Sequence, residues 1–256
     1  MAHVIAVVNQ KGGVGKTTTA VNLGAYLASQ GKYVLLIDLD PQANATSNLG
    51  CDHRTVEKGG YEALVGLCGF REIIRETGIP GFRLAPATSA LAGANIELVS
   101  VPDREYSLRN AMLEIRNDYD FILIDCPPSL GVLTIDGLVA ADRVLIPVQA
   151  EYFALEGLGQ LLETITLVKQ NLRPDLEIMG AVITMFEGRL RLSNDVLSEL
   201  YKYFPNQIFR SVIPRNVRLA EAPSHGKTIM SYDGSSKGAR AYERLAREIE
   251  DYILTI

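Results

Sequence analysis

Lys11-Gly12-Gly13-Val14-Gly15-Lys16-Thr17-Thr18 decides the fold through what stands on either side of it. Before it runs Val4 to Val8, short, apolar and β-branched; after it, Lys16 to Gln30 carries a helical pattern closed by Gly31. A strand, a glycine-rich loop and a helix in that order form the context a phosphate-binding loop requires. Glycines let the backbone bend and bring successive N–H groups toward phosphate oxygens, and the helix N-terminus adds partial positive charge. Lys16 supplies a full charge for the β- and γ-phosphates, and the Thr17 hydroxyl is placed to ligate Mg2+. The candidate nucleotide contacts are therefore Lys11, Gly12, Gly13, Val14, Gly15, Lys16, Thr17 and Thr18.

Outward from the loop, β-branched runs bounded by turn residues recur at Tyr33 to Ile37, Phe121 to Ile124, Val144 to Val148 and Ile178 to Thr184. They are nearly continuous in apolar residues, as strands buried on both faces are. Helical patterns lie between and after them, at Tyr106 to Arg116, Leu155 to Leu172, Leu192 to Tyr203 and Lys237 to Leu254. This alternation predicts an α/β fold of three layers, a mostly parallel twisted sheet with helices on both faces. The segment from Asn44 to Arg104 is the least regular, and short helical excursions are expected there. No linker, low-complexity tract or internal repeat interrupts the chain, so one domain over residues 1–256 is expected.

Two further strands end in a carboxylate, Asp38 and Asp125, where open α/β sheets place ligand-binding residues. Asp125 follows apolar residues 121–124 and is the candidate that holds Mg2+ through water; Asp38 is a second candidate of the same kind. No Asn-Lys-x-Asp guanine signature occurs, which favours ATP over GTP.

With 256 residues, 47% hydrophobic and 21% charged, the chain is neither disordered nor collagen-like. No apolar run approaches the ~18 residues that span a bilayer, and Val4 to Val8 lacks a basic flank and a cleavage site, so a cytoplasmic protein is expected. Cys51, Cys68 and Cys126 are odd in number and show no CxxC spacing, which suggests neither disulfides nor zinc. His3, His53 and His225 form no metal or triad pattern. The net charge of −5 argues against nucleic acid as a partner, but the average hides an asymmetry. Residues up to Gly188 include 14 basic and 22 acidic side chains, whereas 11 basic and 8 acidic follow from Arg189 onward.

The usual pattern G-x-x-x-x-G-K-[ST] is altered here, because Gln10 holds the first glycine position and a second lysine, Lys11, precedes the glycines. This is the deviant Walker A form. With it stand Leu35-Leu36-Ile37-Asp38-Leu39-Asp40-Pro41-Gln42, then Ile122-Leu123-Ile124-Asp125-Cys126-Pro127-Pro128-Ser129-Leu130-Gly131, then Ile213-Pro214-Arg215-Asn216-Val217-Arg218-Leu219-Ala220-Glu221-Ala222-Pro223-Ser224-His225-Gly226-Lys227. In these blocks the chain resembles ParA/Soj-type DNA-partition ATPases, P-loop NTPases of the deviant Walker A class.

The resemblance implies roles that spacing alone does not. Asp40 would orient the attacking water, a task suited to phosphoryl transfer, where positioning supplies most of the catalysis. Lys11 would cross the interface of an ATP-sandwich homodimer to the partner's nucleotide, and Gly12 would be glycine so that two loops can approach. Catalysis would thus rest on Asp40, Lys11 and Lys16. Adenine contacts would come from Ile213 to Asn216, with Pro214 and Asn216 the choices. The ATP dimer would bind double-stranded DNA without sequence preference through Arg189, Arg218 and Lys227, with Arg240, Arg244 and Arg247 as weaker additions. A ParB-type protein would stimulate hydrolysis and release a nucleoid-associated dimer. Because the loop begins at residue 10, no N-terminal operator-binding domain is expected.

Three rivals share parts of this pattern. A MinD-like membrane ATPase would end in a basic amphipathic helix, yet residues 239–254 carry three arginines against four carboxylates. An iron–sulfur ATPase would need cysteines shared across a dimer. A non-enzymatic nucleotide switch would not need Lys16, Thr17, Asp38, Asp40 and Asp125 together.

Overall fold

The computed structural model describes residues 1–97, 102–151 and 157–255. Strand β1 (His3–Val7) leads into α1 (Lys16–Ser29) and β2 (Val34–Asp38). The irregular segment that follows holds short helices α2 (Asn44–Asn48), α3 (Gly60–Leu64), α4 (Phe70–Ile73) and α5 (Leu91–Glu97), with strands β3 (Arg75–Glu76) and β4 (Phe82–Ala85) among them. Then come α6 (Ser107–Ala111), β5 (Phe121–Asp125), α7 (Val132–Ala140), β6 (Arg143–Gln149), α8 (Leu158–Asn171) and β7 (Glu177–Thr184). Helices α9 (Arg191–Tyr203), α10 (Val217–Glu221), α11 (Ile229–Asp233) and α12 (Lys237–Thr255) complete the order.

The seven strands run β3-β4-β2-β5-β1-β6-β7, and every pair is parallel except β3 with β4. Strand β1 lies inside the sheet, between β5 and β6. The chain moves from it past β5 to β2 on one side and later fills β6 and β7 on the other, so the sheet reverses its direction of growth at β1. Ligands of open α/β sheets bind at the carboxyl ends of strands beside such a reversal, which is where Lys11 to Thr18 leave β1.

Period-two alternation sorts the strand side chains into two cores. Val4, Ala6, Leu35, Ile37, Ile122 and Ile124 face one side, where α7 and α8 cover them with Leu133, Leu138, Leu161 and Ile165. Ile5, Val7, Val34, Leu36 and Leu123 face the other, under Leu23 and Leu27 of α1 and Tyr242, Leu245 and Ile249 of α12. Helices on both faces of one sheet are the three layers expected from the apolar runs. The apolar face of α12 formed by Tyr242, Leu245 and Ile249 is spent on this packing. Among the described residues no helix is long and apolar enough to cross a membrane.

Three local differences from the sequence reading have physical causes. Strand β4 was hidden because Phe82-Arg83-Leu84-Ala85 is only four residues long and is held as a strand by pairing Phe82 with Val34. Helix α7 was hidden by Thr134, Asp136 and Gly137 in its apolar run; Gly137 is needed because a Cβ there would lie 2.9 Å from Cys126 Sγ. The expected helix Tyr106 to Arg116 breaks into α6 and a 3-10 turn, Met112–Glu114. The expected helix from Leu155 begins at Leu158; its first two positions lie outside the described residues.

After β7, residues 207–215 run along the sheet edge. Phe209 N donates to Ala181 O, Ile213 N to Ile183 O and Arg215 N to Phe186 O. This pairing delivers Pro214 and Asn216 to the end of the sheet where the phosphate-type loop lies.

Candidate nucleotide site

The loop is held from outside its own sequence. Asn9 Nδ2 donates to Pro147 O at 2.8 Å while its Oδ1 accepts from Lys11 N at 3.0 Å. Gln10 Nε2 donates to Gly157 O at 2.7 Å, which gives the residue in the missing glycine's place an anchoring task. Thr184 Oγ1, at the end of β7, donates to Val14 O at 2.7 Å. Gly13 and Gly15 take φ of +74° and +91°, a region costly for other residues. Gly15 is the N-cap of α1 and provides no side-chain cap, so the first-turn N–H groups are left for an anion.

Lys16 is 6% exposed, and its Nζ donates to Lys11 O at 3.2 Å. Burial lowers its pKa, while Asp125 and Asp40 pull the other way and favour the charged form. A buried lysine beside uncapped helix N–H groups is a strong anion trap.

Thr184 was missed in the sequence because it merely ends a predicted strand, 170 residues from the carbonyl it holds. Valine there keeps the shape but strands a buried carbonyl, a loss of about 1–3 kcal/mol. Thr184→Val is expected to raise KM for ATP about tenfold with kcat changed less than threefold, read from an ATP titration of steady-state turnover. An unchanged KM would remove Thr184 from the positioning of the loop.

Two clefts of about 280 Å³ each meet at this loop. The first is lined by Gly12, Gly13, Lys16 and Thr17 and roofed by Asp40, Asn44 and Asn48. The second, mostly apolar, is lined by Ile213, Pro214, Asn216, Leu219 and Pro223. Gly15, Thr18 and Met185 belong to both, so one elongated ligand can run from the polar cleft into the apolar one. Met185 holds φ of +51°, backbone strain of the kind that clusters at functional sites. Asn216 Oδ1 accepts from Arg218 N at 2.8 Å, which leaves its amide NH2 to offer the second cleft. Wider grooves of about 410 and 560 Å³ lie elsewhere, but neither contains a glycine loop at the N-terminus of a long helix, so volume does not select the site.

The carboxylates divide by their partners. Both oxygens of Asp125 are buried and have no hydrogen-bond partner among the described residues. Burial and Asp38 push the Asp125 pKa well up, and the nearby Thr17 hydroxyl and Lys16 pull the other way. An orphaned carboxylate beside Lys16 and Thr17 fits a water-bridged cation. Asp38 differs from expectation: Oδ2 accepts from Thr46 N and Thr46 Oγ1 at 2.8 and 2.7 Å, and Oδ1 from Asp40 N at 3.2 Å. Its oxygens are taken up in fastening the turn after β2, and burial pushes its pKa up to about 6 against those hydrogen bonds. Asp40 is buried at the roof of the first cleft, and its Oδ1 accepts from Gln42 N at 2.9 Å. Among the described residues no cluster of three His, Cys, Asp or Glu could hold a metal.

The basic candidates also divide. Arg189 and Lys227 are exposed and in no ion pair among the described residues. Arg218 is paired with Glu221 at 2.8 Å and with Asp233 at 3.5 Å. Cys126 is fully buried, and burial pushes its thiol far up.

Comparison with known proteins agrees with this geometry. Residues 2–178 match the family model of an AAA domain. The chain is 53% identical over 249 residues to the sporulation initiation inhibitor protein Soj of Bacillus subtilis (strain 168), covering 97% of this chain and 98% of that one. It is 49% identical over 249 residues to the chromosome partitioning protein ParA of Myxococcus xanthus (strain DK1622), covering 97% and 88%. Among solved structures, a Mycobacterium smegmatis protein described as cobyrinic acid a,c-diamide synthase, with bound ADP and magnesium, matches with a TM-score of 0.88 at 39% identity, covering 99% and 96%.

Proposed function

Because this chain belongs to the ParA/Soj family of chromosome-partitioning ATPases, we propose that it works as a nucleotide-gated DNA tether, binding Mg·ATP between two copies and DNA along the pair. The observation that carries this reading is the first cleft, where uncapped N–H groups of α1, buried Lys16 and the unpartnered Asp125 converge beneath Asp40. The diamide-synthase description belongs to a protein at 39% identity, and the reading follows the partition proteins at 53% and 49%.

In this mechanism the loop N–H groups and Lys16 hold the β- and γ-phosphates, and Thr17 and Asp125 would hold Mg2+, which neutralises charge on the phosphate oxygens. Asp38 ties Thr46 and Asp40 into one rigid turn. Asp40 orients the attacking water. Lys11 reaches the nucleotide of the second copy. Adenine would lie in the apolar cleft, with Pro214 and Asn216 as the residues that would hold it.

Arg189 and Lys227, doubled in a dimer, bind DNA phosphates without reading sequence. The acidic average keeps the monomer from binding well, so assembly gates attachment to the nucleoid. A ParB-type protein speeds hydrolysis and release, and no membrane is engaged.

DNA co-sedimentation with ATP, ADP or no nucleotide across a salt series tests this. Binding is expected to be strong with ATP and weak without it, with a log–log salt slope of about −0.9 for each phosphate neutralised. Binding that does not depend on nucleotide, or none with ATP at any salt, overturns the reading.

A further inference from the structure

Arg218 stands on a helix that is also a wall of the base cleft, and its charge is already answered. Its Nη1 donates to Glu221 Oε2 at 2.8 Å, and its Nε lies 3.5 Å from Asp233 Oδ2. The Tyr232 hydroxyl donates to the same Glu221 oxygen at 3.1 Å and fixes it in place. One guanidinium faces two carboxylates here, so the spot presents net negative charge to a polyanion. One donor nitrogen that would fork onto a phosphate is already hydrogen-bonded, and a second lies at ion-pair distance from a carboxylate.

The partners come from different supports. Arg218 and Glu221 ride on α10, whose residues Leu219 and Ala220 line the base cleft together with Asn216. The backbone N–H of Arg218 is held by Asn216 Oδ1 at 2.8 Å. Asp233 and Tyr232 ride on α11, which is pinned to α1 by Ile229 N donating to Asn22 Oδ1 at 2.7 Å. A base in this cleft meets Asn216 and Leu219 beside and on α10, whereas Asp233 stands on the helix tied to α1.

We propose that Asp233 of α11 latches Arg218 against the Glu221 beside it on α10 and so masks it from DNA until a nucleotide base fills the cleft beside α10. The latch rests on the DNA-binding reading above and adds a second gate to it. Dimerisation doubles the basic sites; base occupancy exposes Arg218 within each copy. The latch also separates the roles of the basic residues, since Arg189 and Lys227 need no release whereas Arg218 does.

The test compares the nucleotide-free affinity of wild type and Glu221→Gln/Asp233→Asn for a short duplex of random sequence at low salt, by fluorescence anisotropy. The double variant is expected to bind about three- to tenfold tighter without nucleotide. Adding Arg218→Ala to it should erase the gain, because a general loss of negative charge would survive that change and release of Arg218 would not. Asp233→Asn alone should shift affinity in the same direction by a smaller factor, and a melting temperature within about 3 °C of wild type shows that each variant is folded. Equal nucleotide-free affinity of the double variant and wild type, or a gain that persists after Arg218→Ala, overturns the latch. If wild type binds DNA with ATP while the double variant shows no gain, the latch alone falls. If wild type does not bind with ATP at any salt, the DNA-binding reading falls with it.

Discussion

Replacing Asp40 by alanine is expected to lower ATP turnover by about two to three orders of magnitude while ATP affinity stays within about threefold of wild type. The split follows from where the side chain sits. Asp40 roofs the phosphate cleft opposite the glycines, and the loop and Lys16 that would bind ATP form the other wall. Its carboxylate accepts one hydrogen bond, from Gln42 N, whereas the turn is built mainly by backbone: Asp40 N donates to Asp38 Oδ1 and Ala43 N to Asp40 O. Alanine keeps both of these, so the turn should survive and only the group that orients water is lost. Phosphate release measured beside binding of a fluorescent ATP analogue checks both halves. Turnover at the wild-type rate would falsify the assignment of Asp40 to water positioning, and loss of binding as well would recast it as a structural residue.

Gly12→Val is the second large effect, and it concerns the assembly. Gly12 does not use left-handed backbone, and a Cβ built on it meets no heavy atom of the described residues within 4 Å. Nothing described within one copy therefore requires glycine here, in contrast to Gly13 and Gly15 with their positive φ. The requirement is expected to come from a second copy packed against the loop. Valine should leave melting temperature and ATP affinity close to wild type and weaken ATP-dependent dimerisation by about a hundredfold or more, enough to abolish it at micromolar protein. Light scattering in an Asp40→Ala background, which holds the ATP state, reads the mass directly. A dimer as stable as that of the parent would show that the loop does not face a partner.

The parts legible in the sequence were those whose physics is local. Lys11 to Thr18 could be read because phosphate binding demands glycines, a lysine and a hydroxyl within one turn, and the five long apolar runs could be read because strands buried on both faces must be apolar throughout. Asp125 was marked by its place at a strand end. Thr184, Asn9 and Gln10 were not legible as anchors of the loop, since each acts on a backbone atom that only folding brings near. Asp38 looked equivalent to Asp125 because both end buried strands, yet three hydrogen bonds from Thr46 and Asp40 separate them. Arg218 likewise looked like a free cation beside its neighbours in the chain, while Asp233, fifteen positions on, comes from another helix.

By itself the sequence determined that this protein is a layered α/β ATPase with a deviant phosphate loop, because backbone conformation, strand burial and phosphate chemistry each constrain residues that are contiguous. The tertiary structure alone decided which carboxylate is left without a hydrogen-bond partner among the described residues, which hydroxyl steadies the loop and which arginine is ion-paired. Those outcomes depend on hydrogen bonds and ion pairs between distant segments, and the charge or polarity of a side chain is settled only by what the fold sets against it.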